Sequence, residues 1–300
     1  MSNRTKRRLA LNLMSTERFG DGTFAAILDN AKLADALGVD VLVLPDHVAI
    51  HETARSDREG FPHSLDAQWF EPLTSLAAIA AVTVHARLSM NVLVAPLRPA
   101  VLLAKQIATL DAISYGRVEV ALGAGWQREE FEATERVFDG RFGVLEEQIE
   151  VCRALWAGGP ASHHGPRVDF DELHSYPLPP QGIDLPILLG LKLTERGIRR
   201  IGDLAQGWAA PPMPMQEFSD SVAKLNAANT ERERLKVTAA VTLPLDSSSP
   251  RAQGISHPLD EALALWEAGA DTVIVHPLMF CNSLRDLATF LEPLLEARDS

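Results

Sequence analysis

Eight times along this chain a short β-branched or continuously apolar run gives way to an amphipathic helical segment. That rhythm constrains the fold more than any other feature. Parallel strands cannot be joined by tight hairpins; each needs a crossover of a dozen or more residues, usually a helix. The runs are Arg8–Leu13, Val39–Leu44, Leu88–Val94, Val118–Leu122, Pro186–Gly190, Gln206–Ala210, Lys236–Leu243 and Thr272–Val275. The helical segments that follow them are Thr23–Leu37, Pro72–Val82, Pro99–Ile113, Arg141–Ala157, Thr194–Gly202, Met215–Ala228, Pro258–Ala268 and Leu284–Leu295. Gly38 stands where a helix C′ glycine belongs, and Pro99 at a favoured first-turn position. Strands two, four, five and eight read largely as unbroken apolar runs, as strands buried on both faces do. Eight pairs in 300 residues predict one α/β domain over 1–300, a (β/α)8 TIM barrel with loop insertions. An open doubly wound sheet is the alternative.

In a barrel the chemistry belongs to the loops that follow the strands. Two of these are long, Pro45–Glu71 and Gly123–Gly140. Another irregular stretch, Gly158–Leu185, precedes strand five and belongs to the opposite kind of connection. Its length predicts either a function or a small hairpin of its own. The cluster Ser247–Pro250 reads as a loop after strand seven, not as a domain linker. With 28 Lys+Arg against 40 Asp+Glu, the net charge of −12 disfavours a nucleic-acid footprint. No apolar run reaches the roughly 18 residues of a membrane helix. The basic start at Arg4, Lys6, Arg7 and Arg8 is followed by too short an apolar segment for a signal peptide. Two cysteines, Cys152 and Cys281, cannot staple a fold or supply four zinc thiolates. The expectation is a soluble cytoplasmic protein with neither a membrane nor a nucleic acid as partner.

Several motifs fail, and their failure narrows the chemistry. Gly123-Ala124-Gly125 opens like a dinucleotide fingerprint, but its sixth position is Arg128, and no helix follows at once. There is no Walker lysine pattern, no His-Glu-x-x-His and no Gly-x-Ser-x-Gly. His163 and His164 are adjacent on an irregular segment, a poor geometry for converging on one metal, and no metal is expected.

The strand ends hold what remains. Asp46 and His47 directly follow strand two, and a histidine there can exchange a proton near neutral pH. The bland reading is that Asp46 caps the loop and His47 packs against it. His276 follows strand eight on the same rim. Asn91 interrupts an apolar strand; its amide needs a partner, since an unsatisfied buried amide costs roughly 1–3 kcal/mol. Gly123 and Gly125 flank the exit of strand four, where small residues let a flat ring approach the backbone. Trp126 beside them could stack on such a ring, although a core tryptophan is the commoner case. Gly190, Lys192 and a helix opened by Thr194 suit a phosphate. Arg196, Arg199 and Arg200 recur at helical spacing, which is usually a solvated face. Together these features describe a barrel that binds a phosphorylated planar ligand.

The segment from Asn91 through Leu97-Arg98-Pro99 and Leu110-Asp111-Ala112-Ile113-Ser114-Tyr115-Gly116-Arg117, continuing to Phe131, resembles the luciferase-like monooxygenase superfamily of flavin- and coenzyme F420-dependent oxidoreductases. Leu44-Pro45-Asp46-His47 resembles that family's strand-two ending, and Arg141, Glu146 and Trp156 match its fourth helix. The resemblance runs from about Ala10 to Leu295 and implies a bacterial luciferase-like barrel. It implies a non-proline cis peptide at Asn91–Val92 propping the ring. It makes His47 a proton donor or stabiliser of the reduced ring, with Asp46 holding its loop and Asn91 bonding ring or substrate. Gly123, Ala124, Gly125 and Trp126 then contact ring and ribityl chain, while Gly190, Leu191 and Lys192 lie on the phosphate side. Two departures stand out. Leu191 replaces the second of a glycine pair, and the sugar-phosphate branch's glutamate at position 126 and tryptophan near His51 are absent. The expectation is an F420-dependent oxidoreductase moving a hydride to or from a small organic substrate, as a homodimer. The alternatives are an FMN-dependent monooxygenase and a non-catalytic flavin-binding barrel.

Overall fold

The computed structural model describes residues 6–54, 64–229, 234–241 and 256–300. Eight parallel strands close into a barrel: β1 (Arg8–Asn12), β2 (Val41–Leu44), β3 (Arg87–Val94), β4 (Val118–Gly123), β7 (Ile187–Leu189), β8 (Gly207–Ala209), β9 (Lys236–Ala240) and β10 (Thr272–Val275). The helices are α1 (Phe24–Leu37), α2 (Pro72–Ala80), α3 (Ala100–Ile113), α4 (Arg128–Ala133), α5 (Arg141–Trp156), α6 (Glu195–Leu204), α7 (Met215–Ala228), α8 (Ser256–Glu267) and α9 (Leu284–Asp299). The irregular stretch before β7 carries its own antiparallel hairpin, β5 (Ala161–His164) with β6 (Asp169–Leu173). The expected extension of strand seven to Leu243 and the loop at 247–250 lie outside the described residues.

Two details differ from the sequence reading. Pro99 is the N-cap of α3, one residue before the first turn, with extended backbone. The stretch after β4 is not helix-free: Arg128–Ala133 forms a short helix with Glu129 and Glu130 in its first turn, where acidic groups meet the positive end of the helix dipole. Six residues are too few for a helical period to show in sequence.

Alternation along each strand divides the core into two. Leu9, Leu11, Leu42, Leu44, Leu88, Met90, Val118, Val120 and Leu122 face the helices in the main core, while Ala10, Val41, Val43 and Ile274 pack together inside the barrel. At the strand starts, Glu119 takes Arg8 at 3.1 Å and Arg87 at 2.9 Å, an ion cluster that closes the floor. Both cysteines are buried, and burial pushes each thiol up to about 12. No helix among the described residues is long and apolar enough to cross a membrane.

Asp35 near the end of α1 clamps the loop that leads into β3. Its carboxylate accepts the backbone N–H groups of Val84 at 2.8 Å, His85 at 3.0 Å and Ala86 at 2.6 Å. Burial by itself would raise this carboxyl, but the three donors outweigh it and hold it below its ordinary 3.8. A depressed folded value means that the stabilisation is complete above the unfolded value and fades as pH falls through the folded one. Asp35→Asn should therefore cost about 1–3 kcal/mol at neutral pH. The gap from wild type should narrow below pH 3.8, as urea unfolding across that range would show.

Candidate active site

The mouth of the barrel is organised around β3. The strand's register with β4 shifts between Asn91 and Leu93, at the cis Asn91–Val92 peptide. Strict alternation from Asn91 would aim Val92 at the helices. With the shift it packs instead against Ala121, Leu188 and Ala209 inside the barrel. Gly123 and Gly190 close in from both sides. A Cβ on Gly123 would stand 2.6 Å from Val92 Cγ2, and one on Gly190 2.5 Å from Val92 Cγ1. The two glycines therefore make room for Val92 itself, which forms a half-buried apolar platform at the barrel mouth. Among the described residues the Asn91 side chain takes no hydrogen bond, although it is half-buried.

Asp46 and His47 follow β2, the neighbour of β3, and each is tied by a different contact. His47 Nδ1 lies 3.0 Å from Glu130 Oε2. Glu130 also accepts the backbone N–H of Val48 at 2.6 Å and of Ala49 at 3.4 Å. An ionised carboxylate is acceptor-only, so as the partner of Nδ1 it favours the imidazole tautomer with its proton on that nitrogen. The imidazole is held edge-on by two tryptophans, Trp69 at 4.8 Å and Trp126 at 5.6 Å between ring centroids. Asp46 faces the other way. Its carboxylate takes a forked pair from Arg98 at 2.7 and 3.0 Å and the Val94 N–H at 2.8 Å. Arg98 reaches on to Glu71 at 2.8 Å, tying β2, β3 and the start of α2 together. Both carboxylates keep this guanidinium above its ordinary value although burial opposes it.

The remaining expected residues lie on the same rim. Arg141 Nε donates to the Gly125 carbonyl at 3.1 Å and its guanidinium lies 3.8 Å from the Phe138 ring centroid, fixing the turn after β4. Ala124 is buried in the main core, and Trp126 is half-buried. Leu191 is 5% exposed and belongs to the main core, while its carbonyl accepts Trp208 Nε1 at 2.9 Å. Its bulk therefore points away from the mouth. Lys192 is exposed. Thr194 caps α6 by accepting the Gly197 N–H at 3.1 Å.

Sequence reasoning missed Glu130, Arg98, Trp69 and Glu17. Glu130 is 83 residues from His47, and only the fold of the β4 loop joins them. Glu17, in the turn after β1, is 1% exposed, and neither carboxyl oxygen has a hydrogen-bond partner; Arg18 lies 3.8 Å away. Nothing in its spacing distinguishes it from a surface glutamate.

A planar, three-ring ligand fits this arrangement in its chemistry. It needs an apolar plate beneath it, hydrogen-bonding groups at its edge and a proton carrier beside it. Val92, Asn91 and His47 are side chains of these three kinds. Hollows of about 210 Å³ beside Met14, Leu44 and Trp69, and about 250 Å³ beside Pro211, Met213 and Glu261, lie around the barrel rim.

The chain is 33% identical over 187 residues to an uncharacterised protein of Mycobacterium tuberculosis, a match covering 61% of this chain and 66% of that one, just under two thirds of its length. It superposes on monooxygenase RslO1 from Streptomyces bottropensis with a TM-score of 0.75 at 19% identity, covering 97% of this chain and 98% of the other. The coenzyme F420-dependent tetrahydromethanopterin reductase of Methanopyrus kandleri gives the same TM-score of 0.75 at 16% identity, over 97% and 99% of the two chains. These likenesses show the shared barrel. Residues 8–286, nearly the whole chain, match the luciferase-like monooxygenase family, and the chain belongs to that family.

Proposed function

We propose that the protein is an F420-dependent oxidoreductase that moves a hydride between the deazaflavin and a small organic substrate. The observation that carries this reading is the uncommitted Asn91 amide beside the Val92 platform, with His47 held by Glu130 at the end of the neighbouring strand. When bound, the deazaflavin supplies the hydride chemistry, and the protein supplies orientation and protons. Val92 supports the ring's face. Asn91 bonds its edge or the substrate. Glu130 keeps His47 Nδ1 protonated, so Nε2 is the atom that gives or takes the proton accompanying hydride movement. Asp46 and Arg98 fix the chain on which His47 rides. Trp69 and Trp126 keep water from one side of the imidazole. Gly123 to Trp126 line the ribityl side, and Gly190 to Lys192 the phosphate side.

The second reading is an FMN-dependent monooxygenase, favoured by the family's named activity and by the equal fold similarity to RslO1. The two separate by experiment. Parallel titrations with F420 and FMN at equal ionic strength should show tight F420 and weak FMN binding. Reduced F420 should be reoxidised anaerobically by a substrate panel without oxygen uptake. Tight FMN binding with substrate-dependent oxygen consumption would sink the first reading in favour of the second. Stoichiometric binding with no reoxidation across a broad panel would favour a non-catalytic flavin-binding barrel.

A further inference from the structure

Residues 192–200 carry four cations, Lys192, Arg196, Arg199 and Arg200, against the single acid Glu195, in a chain whose net charge is −12. In so acidic a protein, unpaired cations are not expected to cluster. Yet only Arg200 has an ion-pair partner, Glu146, and it stacks 5.2 Å from the Phe142 centroid. Lys192, Arg196 and Arg199 are exposed and form no ion pair among the described residues. Asp203 lies on the same face of α6 one turn beyond Arg199, and Lys224 of α7 donates to the Leu193 carbonyl at 3.3 Å. The end of α6 nearest the barrel mouth is therefore the cationic one.

This patch follows in the chain directly after the segment that borders the platform. A Cβ on Gly190 would touch Val92, Lys192 follows two residues later, and Arg196 and Arg199 rise along α6, separated by about 4.5 Å of helix axis. The helix N-terminus itself is poorly suited to an anion. Thr194 Oγ1 already occupies the Gly197 N–H, and Glu195 stands in the first turn. An anionic group leaving the platform here would be received by side chains.

We infer that Lys192, Arg196 and Arg199 form the docking surface for the extended anionic arm of the bound deazaflavin, its phosphodiester and the chain of glutamate carboxylates beyond. This rests on the F420 reading above. A compact terminal phosphate needs one or two cations at one point, whereas Lys192 before the helix and Arg196 and Arg199 along it match charges spaced along a chain.

The test is equilibrium binding of the full-length protein to deazaflavins that share one ring and differ in their arm: a bare ribityl chain, the phosphodiester without glutamates, and arms of increasing glutamate number. FMN and riboflavin are run beside them, at low and high salt. Affinity should rise with arm length. Arg196→Glu/Arg199→Glu should lower affinity for the longest arm roughly tenfold while changing that for the bare ribityl compound less than about twofold. Arg196→Gln/Arg199→Gln should give a smaller loss with the same selectivity, and the difference between arms should shrink in high salt. Equal affinity for all arms would overturn the inference and leave the cofactor reading standing. Equal loss for bare and long-armed compounds in both variants would overturn it too, since the arginines would then serve the fold. Failure of every deazaflavin to bind would overturn both. FMN binding tighter than riboflavin and weakened by the same variants would overturn it in favour of a terminal phosphate.

Discussion

Glu130→Gln is expected to lower turnover roughly 100-fold while leaving cofactor affinity within about twofold. The substitution keeps the size and burial of the side chain but replaces an acceptor-only carboxylate with an amide. An amide can turn its NH2 group toward His47 Nδ1 and thereby favour the other imidazole tautomer. It can also keep its oxygen on Nδ1 and lose only the charge that steadies the imidazolium. Either way His47 would exchange protons less well, and the pH profile of turnover should change shape. Glu130→Ala should be worse, because the Val48 and Ala49 N–H groups lose their acceptor as well. The measurement is steady-state kinetics across pH, combined with nitrogen NMR of the His47 ring in the resting enzyme. Wild-type turnover together with an unaltered tautomer would remove Glu130 from the mechanism.

Asp46→Ala should destabilise the fold by about 3–5 kcal/mol. The Asp46 side chain is fully buried and that of Arg98 is 10% exposed, so removing the carboxylate strands a guanidinium in the rim of the barrel. The Val94 N–H, on the strand that carries Asn91 and Val92, loses its acceptor at the same time. Glu71 remains, but it is 40% exposed and reaches only one arm of the fork. The double variant Asp46→Ala/Arg98→Met should recover part of the loss, since two apolar replacements leave no unpaired charge. Urea unfolding of the three variants and wild type makes the comparison. A single-variant loss under about 1 kcal/mol would mean that water reaches Arg98 and that the pair is only a surface contact.

How much of this was legible before the structure depends on where the information lies along the chain. The barrel was legible because each strand–helix pair is local: a period change from two to 3.6 occurs within a dozen residues. Asp46 and His47 were legible because the end of an apolar run marks the mouth. The helix Arg128–Ala133 was not, since six residues hold no period, and with it went Glu130. The re-aiming of Val92 was not legible either. The cis peptide was anticipated from resemblance, but the register shift that turns the side chain inward is a relation between β3 and β4.

The glycines show the same division in a single feature. Gly123 reads in sequence as an opening for a ring and Gly190 as part of a phosphate segment, and the structure fills the space beside both with Val92. Leu191 reads as an intrusion on a phosphate segment, and the structure turns it into the core. By itself the sequence determined the eightfold alternation, the rim positions of Asp46, His47 and Asn91, and the cationic run at 192–200, all carried by near neighbours in the chain. Only the tertiary structure decided that Glu130 holds His47, that Arg98 holds Asp46, and that Val92 lies between two glycines. These pairs are separated by 83, 52, 31 and 98 residues, and no local pattern encodes which distant residues a closing barrel will bring together.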